Sequence, residues 1–183
     1  MIIGLTGTFA AGKDTVADYL EKDGFEHFST GEEVAEIARE MGIETTRDNL
    51  RELANKLRDE YGPEYLSRRV IEQKAKTDKI VVTGLRQPGE VKYLSTLPNF
   101  HMIAIDAPIE LRFDRMKKRN RPGDPTSIDA MKEKEQKEME SKGKNAQKIH
   151  ECIEMADYKI INDGDFKKLY KEVDDVIGKI QKT

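Results

Sequence analysis

At 183 residues the chain is long enough for one domain with a proper core, and its 32 Lys and Arg nearly balance 35 Asp and Glu, for a net charge of −3. That balance argues against a dedicated nucleic-acid binder, whose footprint is a basic excess, and the single cysteine, Cys152, excludes an internal disulfide framework or a cysteine-rich metal site. No apolar run reaches the ~18 residues of a membrane span and no basic-then-apolar leader opens the chain, so a cytoplasmic protein with no membrane or nucleic-acid partner is expected.

The chain opens on the apolar run Met1 to Thr6, which reads as a strand. It runs directly into Gly7-Thr8-Phe9-Ala10-Ala11-Gly12-Lys13-Asp14-Thr15, and then into Val16, Tyr19 and Leu20, spaced as one helical face. Strand, glycine loop, lysine and helix in this order form a phosphate-binding loop. Gly7 and Gly12 free the backbone to turn its N–H groups around an anion. The helix start adds partial positive charge, and Lys13 adds a mobile cation for the outer phosphates.

Further along, short apolar runs at Phe25–Phe28, Lys79–Thr83, His101–Asp106 and Tyr158–Asn162 read as strands. Continuous apolar strands separated by helices predict a parallel sheet covered on both faces. A helix over Asp48–Tyr61 places Leu50, Leu53, Leu57 and Tyr61 on one face, starting near Thr46 or Arg47. Pro63 and Pro108 each open a further helix, the latter running to Arg119. The last helix, Asp165–Ile180, carries Phe166, Leu169, Val173 and Ile177 as a core face. Cys152 also lies in a helical pattern and reads as a buried thiol rather than a nucleophile. The stretch from Asn120 to about Gln147 is nearly all charge, with only Ile128, Met131 and Met139 to pack. It is either a solvated surface helix or a lid held loosely on the body. The expected architecture is a three-layer α/β/α domain with a five-stranded parallel sheet. It carries an acceptor-binding helical insertion at about 30–77 and a lid at about 120–147, within one domain over 1–183.

With these residues in place, the chain resembles the nucleoside monophosphate kinase group of phosphate-loop NTPases, along nearly its whole length. Within that group it is most similar to archaeal adenylate-kinase-related proteins, which also resemble dephospho-CoA kinase. Four segments carry the resemblance. The loop ending Gly12-Lys13-Asp14-Thr15 has the adenylate kinase form. Ser29-Thr30-Gly31-Glu32 looks like the segment that enters the monophosphate-binding helix, which implies an acceptor contact for Thr30. Ser29 and Thr30 are also good helix caps in their own right. The group carries an arginine where Ala35 stands, and Arg39, one turn on, is the candidate replacement. Val82-Thr83-Gly84-Leu85-Arg86 matches the stretch that presents an arginine to the acceptor phosphate, though with Thr83 where the group has an aspartate. A planar guanidinium suits that task because it binds two phosphate oxygens at once. Finally, Arg115 and Arg119, four apart on one helix face, match the pair that stacks on the donor adenine and bridges the transferring group. Arg121 lies at the lid hinge as a further phosphate ligand, and Asn162 matches a position near the donor base. A plain basic helix remains the alternative for this cluster. RNA binding is a lesser one, since no interleaved aromatics stand ready to stack bases.

The resemblance implies ATP-dependent transfer of the γ-phosphoryl group to a nucleoside or deoxynucleoside monophosphate. Lys13, Arg86 and Arg119 would be catalytic. ATP would lie on residues 7–15, Arg115 and Asn162, and the acceptor on Thr30, Arg39, Arg86 and Arg121. Where the group's aspartate is replaced by Thr83, Asp14 is expected to orient the magnesium waters, with Thr15 or Thr83 as a polar helper and Asp106 in reserve; an aspartate also suits the first helical turn for its own sake. Two alternatives stay open. One is transfer to a hydroxyl, as in dephospho-CoA kinase, although no Asp stands at the end of the second strand to act as base. The other is an ATP-binding regulatory protein with slow hydrolysis. Monomer and homodimer are both compatible with the sequence.

Overall fold

A computed structural model describes residues 1–120, 123–139 and 148–182. Five strands form one sheet: β1 (Ile2–Gly7), β2 (Glu26–Ser29), β3 (Ile80–Thr83), β4 (Phe100–Asp106) and β5 (Tyr158–Ile161). Their order is β2-β3-β1-β4-β5 and every pairing is parallel. Central β1 pairs Gly4 with Val82 on one side and Met102 on the other. Because β1 lies between β3 and β4, the strand order reverses there, and the crevice beyond the carboxyl end of β1 is where such sheets bind ligands.

Helices cover both faces, as the continuous apolar strands require. On one face α1 (Lys13–Lys22) and α9 (Phe166–Ile180) pack Val16, Leu20, Leu169, Val173 and Ile177 against Ile3, Leu5, Ile103 and Ile105. On the other, α5 (Pro88–Leu94) and α8 (Ile149–Glu154) pack Val91, Leu94 and Cys152 against Val82 and Met102. A separate small core joins α2 (Thr30–Glu40), α3 (Arg47–Tyr61) and α4 (Tyr65–Gln73), with Val34, Ile37, Leu53, Leu57 and Leu66 inside. These three helices are the insertion expected between the second and third strands. The remaining helices are α6 (Ile109–Arg119) and α7 (Ile128–Met139). They lie against each other, and α7 belongs to the charge-rich stretch, where Met131 is buried.

Local signals account for the element ends. Thr46 caps α3 by accepting from Asn49 N, and Asp165 caps α9 by accepting from Lys168 N. Gln87 and Glu90 form a capping box at α5, with Pro88 in its first turn. Two expectations need correction. Phe166 is not core: it is 65% exposed at the first turn of α9, stacked only along Tyr170. Pro63 does not start a helix directly, because Glu64 is the cap and α4 begins at Tyr65.

Candidate active site

The phosphate loop spans the end of β1 and the start of α1. Gly7 has φ 133°, and a Cβ there would lie 1.8 Å from the Ile105 carbonyl oxygen. Gly12 has φ 106°, and its Cβ would lie 2.5 Å from Asn162 Nδ2. Glycine is therefore demanded twice, once by the neighbouring strand β4 and once by the β5 end. Lys13 folds back over the loop and donates to the Gly7 carbonyl at 3.0 Å and the Thr8 carbonyl at 2.7 Å. Its pKa is lowered from 10.5 to about 8, first because its ammonium is desolvated and then because Arg86, Arg112 and Arg119 stand near it. Asp14 acts in the opposite direction, raising it.

Four arginines stand near the loop. Arg86 follows β3, half-buried, its N–H donating to Glu90 and its carbonyl accepting from Lys148 N at 2.7 Å. Arg112, Arg115 and Arg119 come from successive turns of α6. Arg112, which the sequence reading left without a role, is buried. Its Nε donates to the Ala107 carbonyl, its Nη1 to the Phe9 carbonyl, and both terminal nitrogens pair with Glu135 of α7. It thereby ties the loop to the charge-rich helix. The signal was present: Arg112 lies one turn before Arg115 in the same basic helix. Arg115 reaches across to the β5 end and donates to Asn162 O at 3.0 Å and Oδ1 at 3.1 Å, while Asn162 Nδ2 donates to the Ala11 carbonyl. Its pKa falls through desolvation. Arg115, Asn162, Ala11 and Gly12 thus form one cluster beside the loop. Arg119 is held by two bonds to Asp124, each 3.1 Å, with its Cζ 4.5 Å from the centre of the Phe9 ring.

Thr30 and Arg39, expected at the acceptor, both have partners within the protein. Thr30 is buried and donates to the Gly84 carbonyl at 2.9 Å, so it knits the start of α2 to the turn that carries Arg86. Arg39 pairs with Glu32 at 2.7 Å on the exposed flank of α2. Arg121 lies outside the described residues, as does the segment 140–147 of the expected lid. A buried ion pair not foreseen, Arg58 of α3 with Glu90 at 3.1 Å, joins the insertion to the Arg86 turn.

Asp14, exposed beside Lys13, and Thr15, half-buried in the first turn of α1, offer oxygen donors at the loop mouth, a donor set that suits magnesium. Asp106 at the end of β4 already accepts from Thr8 Oγ1 at 2.7 Å and from Ala107 N at 2.9 Å. The Thr83 hydroxyl is bonded to His27 Nε2 at 2.9 Å.

Residues 3–159 match the family described as an AAA domain. A UPF0200 protein of Pyrococcus abyssi is 34% identical, over 98% of this chain and 97% of its own. The chain belongs to the UPF0200 family. Another member, from Thermococcus onnurineus, is 31% identical over 98% of both chains. Among solved structures, the shikimate kinase of Bacteroides thetaiotaomicron aligns over 99% of this chain and 98% of its own, with a TM-score of 0.64 at 17% identity. That of Aquifex aeolicus aligns over 97% and 96%, with a TM-score of 0.57 at 16% identity. The fold is thus the kinase-like phosphate-loop fold, with its five-stranded parallel sheet, as expected. No helix among the described residues is long and apolar enough to cross a membrane.

Proposed function

We propose that this protein is an ATP-dependent phosphotransferase that moves the γ-phosphoryl group to a phosphate-bearing acceptor of the nucleoside monophosphate type. The observation that carries the reading is the gathering of Arg86, Arg112 and Arg119 around Lys13 of the phosphate loop, which add to desolvation in lowering the Lys13 pKa. Phosphoryl transfer asks for in-line placement and neutralisation of the equatorial oxygens, and needs little covalent chemistry from the protein. Lys13 would hold the outer phosphates of ATP, Arg115 and Asn162 the base end, Arg86 the acceptor phosphate and Arg119 the transferring group. Magnesium, held by Asp14 and Thr15, would supply further neutralisation at the phosphate oxygens. Residues about 120–147 would act as the lid and about 30–77 as the acceptor floor, excluding water from the transfer in a cytoplasmic enzyme.

An ionised phosphate acceptor needs no general base. The carboxylates nearest the end of β2 are already engaged: Glu33 is buried and paired with Arg69 and Lys74, and Glu32 pairs with Arg39. That favours a phosphate over a hydroxyl acceptor. The hydroxyl reading rests on the fold likeness to proteins titled shikimate kinase. The test is ADP release from magnesium ATP with a panel of nucleoside and deoxynucleoside monophosphates, dephospho-CoA and shikimate. Acceleration by a monophosphate is expected. Acceleration by dephospho-CoA or shikimate alone would replace the reading with hydroxyl transfer, and slow release that no acceptor changes would replace it with a regulatory ATPase.

A further inference from the structure

Phe9 stands at the tip of the phosphate loop with cations from three elements around its ring. Arg119 Cζ of α6 lies 4.5 Å from the ring centre, Arg47 Cζ at the start of α3 5.3 Å, and Lys134 Nζ of α7 5.8 Å. The Phe9 carbonyl also accepts from Arg112 Nη1 at 3.2 Å. A loop that binds phosphate through backbone N–H groups gains nothing from a large side chain at its tip, and its neighbours Ala10 and Ala11 are small. An aromatic face attracts cations within about 6 Å through its quadrupole. The ring carries no net charge, so it adds nothing to the carboxylates that already pair with the arginines, Asp124 with Arg119 and Glu135 with Arg112. A carboxylate in its place would neutralise the arginines further and repel an incoming phosphate.

We infer that Phe9 is a positioning residue whose ring gathers Arg47, Arg119 and Lys134 into one phosphate-binding cluster, and that Arg47 is a further ligand for the acceptor phosphate. The ligand is a polyanion of phosphate groups spanning the loop and the insertion. Arg47 brings the insertion into the site that Arg86 enters from β3, and Lys134 brings in the charge-rich helix. Cations already turned toward the loop lose less freedom when an anion arrives, and that preorganisation appears as affinity. The assignment of Arg47 to the acceptor rests on the phosphotransferase reading, whereas the gathering of cations by the ring does not.

The experiment titrates the full chain with sodium tripolyphosphate by calorimetry, for the wild type and the Phe9→Leu, Phe9→Tyr and Arg47→Gln variants. Leu keeps the apolar volume and loses the ring. Phe9→Leu should raise the tripolyphosphate Kd about fivefold, in line with cation–π contacts of this kind. Phe9→Tyr should stay within about twofold of wild type. Unchanged or tighter binding by the Leu variant, or equal loss in the Leu and Tyr variants, would overturn the positioning role. Arg47→Gln changes an exposed residue, so it reads the cluster even if the Leu variant does not fold. It should weaken tripolyphosphate and raise the KM for a monophosphate acceptor with the KM for ATP kept. Unchanged values would remove Arg47 from the site. Ring-dependent tripolyphosphate binding without transfer to any monophosphate would leave the ring inference standing and end the phosphotransferase reading. Efficient transfer with ring-independent binding would do the reverse.

Discussion

Lys13 shows how a single residue is tuned by its neighbours. Desolvation and three nearby arginines bring its pKa down to about 8, below the ordinary 10.5. A bound nucleotide polyanion favours the charged lysine and raises that pKa again. Binding should therefore take up a proton between about pH 8 and the range of free lysine, and none well below pH 8. Calorimetric titration with ATP near pH 8, in buffers of different ionisation enthalpy, should show uptake of about half a proton, and Lys13→Ala should abolish it. The same sign governs stability: the depressed pKa makes the charged form unfavourable for folding below about pH 8, a cost that lifts as pH rises through it. On the proposed function, Arg86 and Arg119 would separate binding from rate. Arg86→Ala should raise the acceptor KM far more than the KM for ATP, because a charge-assisted contact to one substrate is removed. Arg119→Ala should lower kcat by about 100-fold with ATP binding largely kept, as expected for a contact made in the transition state. Steady-state kinetics on both variants check the division. Cys152 is fully buried, with its thiol pushed up to about 12 by desolvation and by Glu90, and it takes no part in chemistry at neutral pH.

Among the elements, α6 does the most for the site. One face delivers Arg112 to the loop and to α7, Arg115 to the β5 end, and Arg119 to Phe9 and Asp124. The Arg112–Glu135 pair is the fastening between α6 and α7. Breaking it should leave the loop intact and free α7, the helix proposed as part of a lid. For Glu135→Ala we expect ATP hydrolysis without acceptor to rise relative to transfer, because a loose lid admits water. The ratio of the two rates, measured with nucleotide binding, reports this. An unchanged ratio would mean that α7 is a solvated surface helix and no lid.

At the scale of the whole molecule, the helical insertion and the main sheet have separate cores, joined by apolar contact of Ile71, by the Thr30–Gly84 hydrogen bond and by a buried ion pair. Arg58 and Glu90 are that pair, and Glu90 also accepts from the backbone of Arg86 and Gln87. Glu90→Gln leaves Arg58 charged, buried and uncompensated, and should cost about 3–5 kcal/mol. For a chain of this size, that is a fall in Tm of roughly 10 °C. The double variant Arg58→Met/Glu90→Gln should recover much of that loss, since the cost comes from an unpaired charge more than from a missing bond. Thermal unfolding of the three proteins decides it.

The sequence by itself determined the features that depend on local order. The loop was legible because glycine, lysine and helix start must follow the strand within a few residues. The parallel sheet was legible because its strands are continuously apolar, and α3 and α9 because of their caps and periodic faces. The arginines of α6 could be placed on one face from their spacing alone. What only the tertiary structure decided is pairing between distant residues. Phe166 carries a helical-face signal and yet lies exposed, because periodicity names a face without saying how far the core extends. Thr30 turns its hydroxyl to Gly84, an outcome that depends on how α2 is set against β3. Arg112 with Glu135, Arg58 with Glu90 and Phe9 with Arg47 join residues from different elements. Each side chain in those pairs reads locally as an ordinary surface charge or loop residue. Its partner is set by the packing of helices on the sheet, which no spacing along the chain encodes.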